Sequence, residues 1–401
     1  MTIDVDTTQT IIVDEFDDAG GPGLRYITNE NIEITIDFAV FIGSQSDDGV
    51  ESTLDGSTLI NNGNVFSGGA NGVRFDGNDT TIINNGNIVT GVFNGFNIGS
   101  VNGSVITNNG TVYAFQGNGV NYSNTQNAIL TNAGEIYANG IAVRDSTDDG
   151  ATIVNSGLMR SDRDGVEVSI DDGEVTEITN TAGGTIRAAV NAIESFGGRI
   201  SLDNRGTIDG VIDLDATTGN VNDVVMNRGK ITGDVFLGDG DDRFNGSAGT
   251  SVEVFGENGD DTLIGGKSGD RLNGGDGNDT VRGGRGKDSL FGGDERDFFD
   301  FNSINDSMKG GKRDAINDFV RGNNVIGDEI DLEDIDAKTG VSGNQKFKFI
   351  GKSDFHDKKG ELRYEDKGNK VIVQGDVNGD GKADFEILVK VGALSAGDFV
   401  L

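Results

Sequence analysis

The sequence contains no cysteine, one proline and one histidine among its 401 residues. Without cysteine the chain can form neither disulfides nor thiolate metal sites. No stretch approaches the ~18 consecutive apolar residues of a membrane-spanning helix, so we expect no transmembrane segment. The opening MTIDVDTTQTIIVDEF lacks both a basic segment and an apolar run, so we expect no cleavable secretory signal there.

Positive charge is also scarce, because 32 Lys and Arg residues stand against 67 Asp and Glu residues, giving a net charge of −35. Such a chain would repel phosphate groups, which argues against nucleic acid as a partner. Self-repulsion of this size opposes compaction. Either the carboxylates form a solvated surface or they await cations, and their positions in the sequence decide between these readings.

Glycine is abundant, with 65 residues, and apolar residues make up only 34% of the chain. Glycine with almost no proline and no G-X-Y period excludes collagen and indicates many tight turns that need positive φ. The low apolar content predicts a narrow, repetitive core.

A repeat of 23 to 25 residues occupies residues 57–232, where the phrase apolar-x-Asn-x-Gly-x-apolar recurs from LINNGNV to VMNRGKI. So steady a period indicates stacked coils. The repeated asparagines are Asn61, Asn84, Asn108, Asn132, Asn155, Asn180, Asn204 and Asn227.

Apolar residues alternate with polar ones on both sides of each asparagine, as in short strands, and helix-length amphipathic segments are absent. The sequence therefore predicts an all-β fold with a parallel β-helix over residues 57–236 and a cap over residues 1–56. We expect the asparagines to stack in a hydrogen-bonded ladder along the axis. A ligand-binding role for that ladder is the less favoured alternative.

The period falls to nine over residues 237–300, in copies such as GGDGNDTVR and GGRGKDSLF. These copies match the nonapeptide GGxGxDxUx and resemble the repeats-in-toxin (RTX) family. A flexible glycine-rich linker is the alternative, but it does not explain Asp and apolar residues in phase. Ser268 and Glu295 stand where the pattern has glycine.

The nonapeptide spacing suits calcium, because each GGxGxD turn directs carbonyl oxygens inward and the next three residues form a strand. Turns 18 residues apart stack on the same edge of a β-roll, so carboxylates and carbonyls form an oxygen cage that selects Ca²⁺. We expect Asp261, Asp279 and Asp297 on one edge, joined by Asp242 if one residue bulges out, and Asp270 and Asp288 on the other. The predicted site residues are Gly240, Asp242, Gly259, Asp261, Asp270, Gly274, Gly277, Asp279, Gly283, Gly286, Asp288 and Asp297.

Residues 237–401, with RDAINDFVRG and a terminal DFVL, resemble the C-terminal domain of serralysin-type metalloproteases. This resemblance implies a calcium β-roll followed by a β-rich segment over residues 301–401 with an uncleaved type I secretion signal. It therefore implies export through a type I secretion channel and an extracellular location.

The segment DVNGDGKAD resembles a calcium loop, with Asp376, Asn378, Asp380 and Asp384 at positions 1, 3, 5 and 9. Position 12 is Ile387 rather than glutamate, which excludes an ordinary EF-hand. A polar β-turn in a hairpin is the alternative.

Enzymatic activity has weak support in the sequence. The zinc motif HExxH needs two histidines, whereas this chain has only His356, which excludes a zinc protease of that kind. Polysaccharide-active enzymes also use β-helices, and the best candidate catalytic cluster is Arg160, Asp162, Arg163 and Asp164, with Arg144 and Asp145 one coil earlier.

The regular coils leave little room for catalytic loops, so we expect the acidic and basic residues of that cluster to form a solvated turn. The sequence thus favours a secreted calcium-binding protein whose solenoid is structural, adhesive or part of a matrix, with extracellular polysaccharide or a cell surface as a partner. The alternative is a calcium-dependent lyase, epimerase or hydrolase acting on polysaccharide.

Overall fold

A computed structural model describes residues 33–38, 40–99, 101–171, 173–214, 220–250, 252–322 and 327–401, together with the backbone of three short strands before residue 33. Apart from two 3-10 turns, Gly310–Lys312 and Ala396–Asp398, the regular structure of this part is entirely β, as predicted. No helix within the described ranges is long and apolar enough to cross a bilayer. The chain divides into two compact units, residues 1–221 and 222–401.

The first unit contains strands β1 to β25. In chain order they are Asp4–Val5, Phe16–Asp18, Leu24–Tyr26, Glu33–Ile36, Phe41–Ser44, Val50–Ser52, Thr58–Asn61, Asn64–Ser67, Val73–Phe75, Thr81–Asn84, Asn87–Thr90, Phe96–Gly99, Val105–Asn108, Thr111–Ala114, Val120–Ser123, Ile129–Asn132, Glu135–Ala138, Val143–Ser146, Thr152–Asn155, Leu158–Ser161, Val166–Val168, Val175–Asn180, Thr185–Ser195, Arg199–Asn204 and Thr207–Asp213.

Each coil from β4 to β21 supplies three strands, and equivalent strands of successive coils pair in parallel and in register. Ile82, for example, lies opposite Leu59 of the preceding coil and Ile106 of the following one. At β23 one long strand spans two of the three rows, with register shifts between Arg187 and Ile193. The predicted parallel β-helix is confirmed.

The core of this unit is a stack of aliphatic rows, because every second side chain of each strand points inward. The row two residues before the asparagines is buried throughout, and so is the row four residues after them, or six after Asn180, where the coil carries an insertion. These two rows comprise Leu59, Ile82, Ile106, Leu130, Ile153, Ile178 and Leu202, and Val65, Ile88, Val112, Ile136, Met159, Ile186 and Ile208.

The predicted asparagine ladder is present, with every amide Nδ2 donating to the Oδ1 of the next coil from Asn61 to Asn204 at 2.7–2.9 Å. These asparagines are fully buried, so each bond satisfies polar groups that would otherwise be costly to remove from water. The ladder therefore fixes the register of neighbouring coils.

The coil pattern begins before the first predicted repeat, since β4, β5 and β6 pair with β7, β8 and β9. Residues 33–56, which we expected to cap the solenoid, thus form a coil of the same kind. The side chains of residues 1–32 lie outside the described residues, and the division of the chain into four domains stays a prediction.

The second unit contains strands β26 to β42. They are Val224–Asn227, Lys230–Ile231, Val235–Asp239, Arg243–Asn245, Glu253–Asn258, Thr262–Ile264, Arg271–Asp276, Thr280–Arg282, Ser289–Asp294, Phe298–Asp300, Asp314–Ile316, Glu329–Asp331, Lys348–Phe349, Glu361–Asp366, Val371–Asp376, Phe385–Val389 and Phe399–Val400.

From β28 to β37 these strands form two parallel sheets, and the chain alternates between them with short turns. Buried Leu263, Leu272, Val281, Leu290 and Phe299 fill the space between the sheets. Strands β39, β40 and β41 form an antiparallel meander, and β41 pairs with β36. The turns consequently lie on two opposite edges of a β-roll.

Candidate metal centre

The predicted aspartates lie in the turns of the β-roll, on the edges that the 18-residue spacing predicts. The turns after β30, β32 and β34 hold Asp261, Asp279 and Asp297, and the turns after β31 and β33 hold Asp270 and Asp288. Asp242 stands 19 residues before Asp261 and follows β28, on the same edge as Asp261.

Each edge carries a carboxylate ladder, in which one aspartate oxygen accepts the backbone N–H of the aspartate one coil earlier. On the first edge, Oδ1 of Asp261, Asp279 and Asp297 accepts the N–H of Asp242, Asp261 and Asp279 at 2.8, 2.7 and 3.0 Å. On the second edge, Oδ1 of Asp288 accepts the N–H of Asp270 at 2.8 Å. The ladder holds the carboxylates in a line along the roll.

The second oxygen of most ladder aspartates is buried and has no hydrogen-bond partner in the described part of the chain. Asp270 differs, because its Oδ2 accepts the N–H of Gly266 at 2.7 Å. Burying a carboxylate oxygen without a partner is costly, so these oxygens need a cation or a proton. The aspartates concerned are Asp242, Asp261, Asp279, Asp288, Asp297 and Asp314.

Burial, aided by repulsion from neighbouring carboxylates, raises the pKa of these groups far above the ordinary value for aspartate. The pKa rises to about 7 for Asp261, Asp279 and Asp288, to about 8 for Asp242 and Asp297, and to about 9 for Asp314. A divalent cation beside the free oxygens would offset this repulsion and keep the carboxylates ionised.

The first glycine of each nonapeptide makes room for this arrangement. A Cβ on Gly274 would collide with Oδ2 of Asp279 and with the carbonyl oxygen of Gly292 in the next coil. A Cβ on Gly256 would collide in the same way with Oδ2 of Asp261 and the carbonyl oxygen of Gly274. The free carboxylate oxygen and a carbonyl oxygen of the next coil thus meet beside the same glycine. Carboxylate and carbonyl oxygens are the ligand types that Ca²⁺ prefers, so the residues present fit that ion.

Positive φ at the fourth repeat position completes the turns. Gly240, Gly259, Gly277 and Gly286 have φ of 140, 130, 137 and 154°, values that other residues rarely adopt. Glu295 occupies the same position with φ of 76°, and its Oε2 accepts the N–H of Gly277 at 3.1 Å. Glu295 thus keeps a positive φ where the pattern has glycine, whereas Ser268, the other departure, does not have one.

Two further aspartates, which the nonapeptide pattern does not predict, extend the ladders. Asp314 is fully buried and its Oδ1 accepts the N–H of Asp288 at 2.8 Å, while Oδ1 of Asp328 accepts the N–H of Asp297 at 3.1 Å. The available signal was the Asp-x-Ile spacing in DAI and DEI, which matches the Asp-x-apolar spacing of the repeat without its glycines or its nine-residue step. Oδ2 of Asp328 also accepts the N–H of Val320, so only Asp314 keeps a free oxygen.

The DVNGDGKAD loop connects β40 to β41, and its acidic groups bind backbone N–H groups. Asp376 accepts the N–H groups of Gly379 and Gly381 at 2.6 and 2.9 Å, and Asp384 accepts that of Val377 at 2.8 Å. Asn378 and Asp380 accept the N–H groups two residues further on. These bonds are those of a polar turn, and calcium binding by this loop stays a prediction.

The weak catalytic cluster divides into two groups. Arg160 lies over the ring of Tyr137 at 5.3 Å, and the Tyr137 hydroxyl donates to exposed Asp162. Asp164 is instead 2% exposed and contacts Arg163 at 3.7 Å. Asp145, one coil earlier, is fully buried and accepts the hydroxyl of Thr176 at 2.6 Å.

A separate acidic group forms around Asp164, because Glu167 and Glu194 bring carboxylate oxygens within 4.8 Å of one another and of Asp164. Burial raises the pKa of Glu167 and of Glu194 above the ordinary value for glutamate. Arg144, 3.0 Å from Glu167, offsets part of the rise for Glu167. The sequence pattern hid this group, since Glu194 is brought opposite Glu167 by the coil that carries the insertion.

His356, the one histidine, is 57% exposed and lies 3.0 Å from Oε1 of Glu361. The pair joins an exposed imidazole to a buried carboxylate.

Two parallel sheets with carboxylate-lined turns on both edges define a metal-binding β-roll. Residues 235–252, 255–290, 264–299 and 273–308 match the family model of the RTX calcium-binding nonapeptide repeat in four copies. The second unit therefore carries RTX calcium-binding repeats. A search of curated proteins gave no match. The serralysin-type resemblance of the remaining C-terminal residues stays a prediction.

Proposed function

We propose that this chain is a secreted calcium-binding protein whose C-terminal part folds on extracellular Ca²⁺, while the β-helix acts as a structural, adhesive or matrix module. The observation that carries the proposal is the line of buried aspartate oxygens without partners in the RTX turns. Asp242, Asp261, Asp279, Asp288 and Asp297 would hold the ions together with turn carbonyls. Calcium supplies positive charge there and joins successive turns.

Calcium couples folding to location in this proposal. Where calcium is scarce, the 67 acidic residues repel one another and the repeats remain unfolded, which suits passage through a type I secretion channel. Outside the cell, millimolar calcium meets sites of roughly 10⁻⁴–10⁻³ M affinity, typical of extracellular modules. Because the ions bind only the folded form, they shift the equilibrium by mass action.

The regularity of the first unit supports a non-catalytic role. Its coils differ by at most two residues in length, and most connections between strands are short. Catalytic groups usually come from loops that interrupt such a scaffold. An uninterrupted stack instead offers long, flat faces for adhesion or assembly.

The test is a calcium titration of the full chain followed by far-UV circular dichroism, with calorimetry to count the ions. We expect a cooperative gain of β-structure between micromolar and millimolar calcium. Asp279→Asn should raise the calcium midpoint about ten-fold, because it removes one carboxylate that faces the ion.

Asp276→Asn is the matched control, since Asp276 is exposed in the same repeat and should leave the midpoint unchanged. A chain that binds no calcium, or whose spectrum is indifferent to it, would refute the proposal.

One observation favours the second candidate, a polysaccharide-active enzyme on the β-helix. Asp164, Glu167 and Glu194 bring carboxylate oxygens within 4.8 Å, a separation close to the ~5 Å of paired carboxylates in retaining glycosidases. Turnover of an acidic polysaccharide that disappears in Glu167→Gln, with calcium binding intact, would establish this candidate.

A further inference from the structure

The two edges of the β-roll carry opposite charges at their exposed positions. The described turns of the first edge expose acidic side chains and two asparagines, and their one cation, Arg296, pairs with Glu329 at 2.7 Å. The second edge exposes basic side chains instead. The acidic set is Asp241, Asp260, Asp276, Asp294 and Glu295, and the basic set is Lys267, Arg285, Lys287 and Lys312.

None of the four basic side chains forms an ion pair with any residue that the structure describes. The aspartates beneath them, Asp270, Asp288 and Asp314, are buried and directed along the ladder. The chain as a whole has a net charge of −35, but the four unpaired cations on one edge make the exposed charge positive there. Such a patch attracts anionic ligands from solution.

These cations line one cavity of about 470 Å³, together with Ser268, Asn305 and Met308. Lys287 also borders a cavity of about 480 Å³ together with Arg313, so the basic depression continues in that direction. The cavity of about 350 Å³ on the other side of Lys287 is lined by Asp234 and Glu253 as well, so the basic stretch ends there. Because coils stack ~4.8 Å apart, Lys267 and Arg285 recur with the axial spacing of the strands. The site thus offers a line of positive charges to a linear array of anions.

We propose that this basic edge, defined by Lys267, Arg285, Lys287 and Lys312, binds a segment of anionic polysaccharide through its carboxylate or sulfate groups. The hydroxyl of Ser268 and the amide of Asn305 can hydrogen-bond sugar hydroxyls, and Met308 offers an apolar contact for a ring face. No aromatic ring lines the described cavity, which disfavours single-stranded nucleic acid, whose bases stack on such rings.

The inference goes beyond the proposed calcium function, because it rests on the side chains outside the ladder. The test measures binding of the full chain, in millimolar calcium, to dextran sulfate, to hyaluronan and to neutral dextran. We expect both anionic polymers to bind and neutral dextran to fail, with affinity falling as salt is raised.

The variant Arg285→Glu/Lys287→Glu should weaken binding to both anionic polymers about ten-fold or more. Lys338→Glu/Lys370→Glu is the matched control, since it changes the net charge equally at exposed positions away from the β-roll turns. An equal loss in both variants would mean that overall charge governs binding and would overturn the assignment.

Other outcomes also contradict the proposal. Tighter binding to phosphatidylserine vesicles than to either polymer would assign the edge to a membrane surface. Self-association that is lost in Arg285→Glu/Lys287→Glu would assign it to the acidic edge of a second copy. Calcium stoichiometry, measured on the same samples, separates the two hypotheses: intact calcium binding without polymer binding refutes this inference alone, and the reverse refutes only the calcium function.

Discussion

Buried polar side chains influence the stability of both units, through ladder asparagines in the first and ladder aspartates in the second. In the first unit each asparagine amide is paired with a neighbour, whereas in the second several aspartate oxygens are left without partners. Paired groups stabilise the coils without help from a ligand. Unpaired carboxylates make the second unit depend on a cation.

The asparagine ladder gives a prediction at the scale of one residue. Asn108 accepts from Asn84, and its Nδ2 donates to Asn132 at 2.8 Å and to the carbonyl of Glu135 at 3.2 Å. Asn108→Ala should lower the free energy of unfolding by about 2–3 kcal/mol, because it leaves buried partners unsatisfied. Urea denaturation in saturating calcium measures the change.

The adjacent Asn109 provides the control, since it makes a similar bond to Asn85 at 2.8 Å on the exposed surface. Asn109→Ala should change the free energy of unfolding by no more than about 0.5 kcal/mol. Equal effects of the two substitutions would show that the buried ladder has no special role in stability.

At the scale of elements, the second unit does not stop where its sequence repeats stop. Strand β36 begins at Asp314. It pairs with β34 of the roll on one side and with β41 on the other. A calcium ion between Asp288 and Asp314 would thus hold the antiparallel meander against the RTX turns. We therefore expect strands β36, β39, β40 and β41 to become ordered in the same calcium-dependent step.

Asp314→Asn tests this coupling. Asparagine retains an oxygen for the N–H of Asp288 but lacks the charge that faces the ion. We expect native mass spectrometry in saturating calcium to show one ion fewer than in the parent chain. Asp294→Asn, an exposed substitution on the opposite edge, should keep the parent count. An unchanged count in Asp314→Asn would remove Asp314 from the calcium-binding set.

The sequence allowed prediction of those elements whose residues repeat in phase. The steady spacing of Asn61 to Asn204 predicted the coils and their inward rows, and the nine-residue phase of Asp261 to Asp297 predicted two edges. Asp314 escaped prediction because its turn lacks the glycine spacing. The acidic group at Asp164 escaped because an insertion sets the register of Glu194, and only pairing between coils reveals that register.

The whole molecule combines a solenoid, whose buried asparagines from Asn61 to Asn204 bond to one another, with a β-roll, in which most ladder aspartates keep an oxygen without a partner among the described residues. Its net charge of −35 adds repulsion that acts on every compact state. Calcium relieves part of this repulsion inside the roll, while the basic edge changes its sign locally outside. In these proposals, calcium-dependent folding and the binding of anionic ligands both belong to the second unit.

Proton binding should replace calcium in part, which predicts an unusual pH dependence for the calcium-depleted chain. The folded-state pKa values of Asp242, Asp261, Asp279, Asp288 and Asp297 are raised to about 7–8 from an ordinary 3.8. The folded β-roll then binds more protons than the unfolded chain, so its stability is greatest below about pH 4 and is lost as the pH rises through 7–8.

Urea titrations of the depleted chain by circular dichroism should show higher stability at pH 5 than at pH 8. In saturating calcium the order should reverse, because protons compete with the ion for the same oxygens. Stability that rises with pH in the depleted chain would contradict the ladder as the source of calcium dependence.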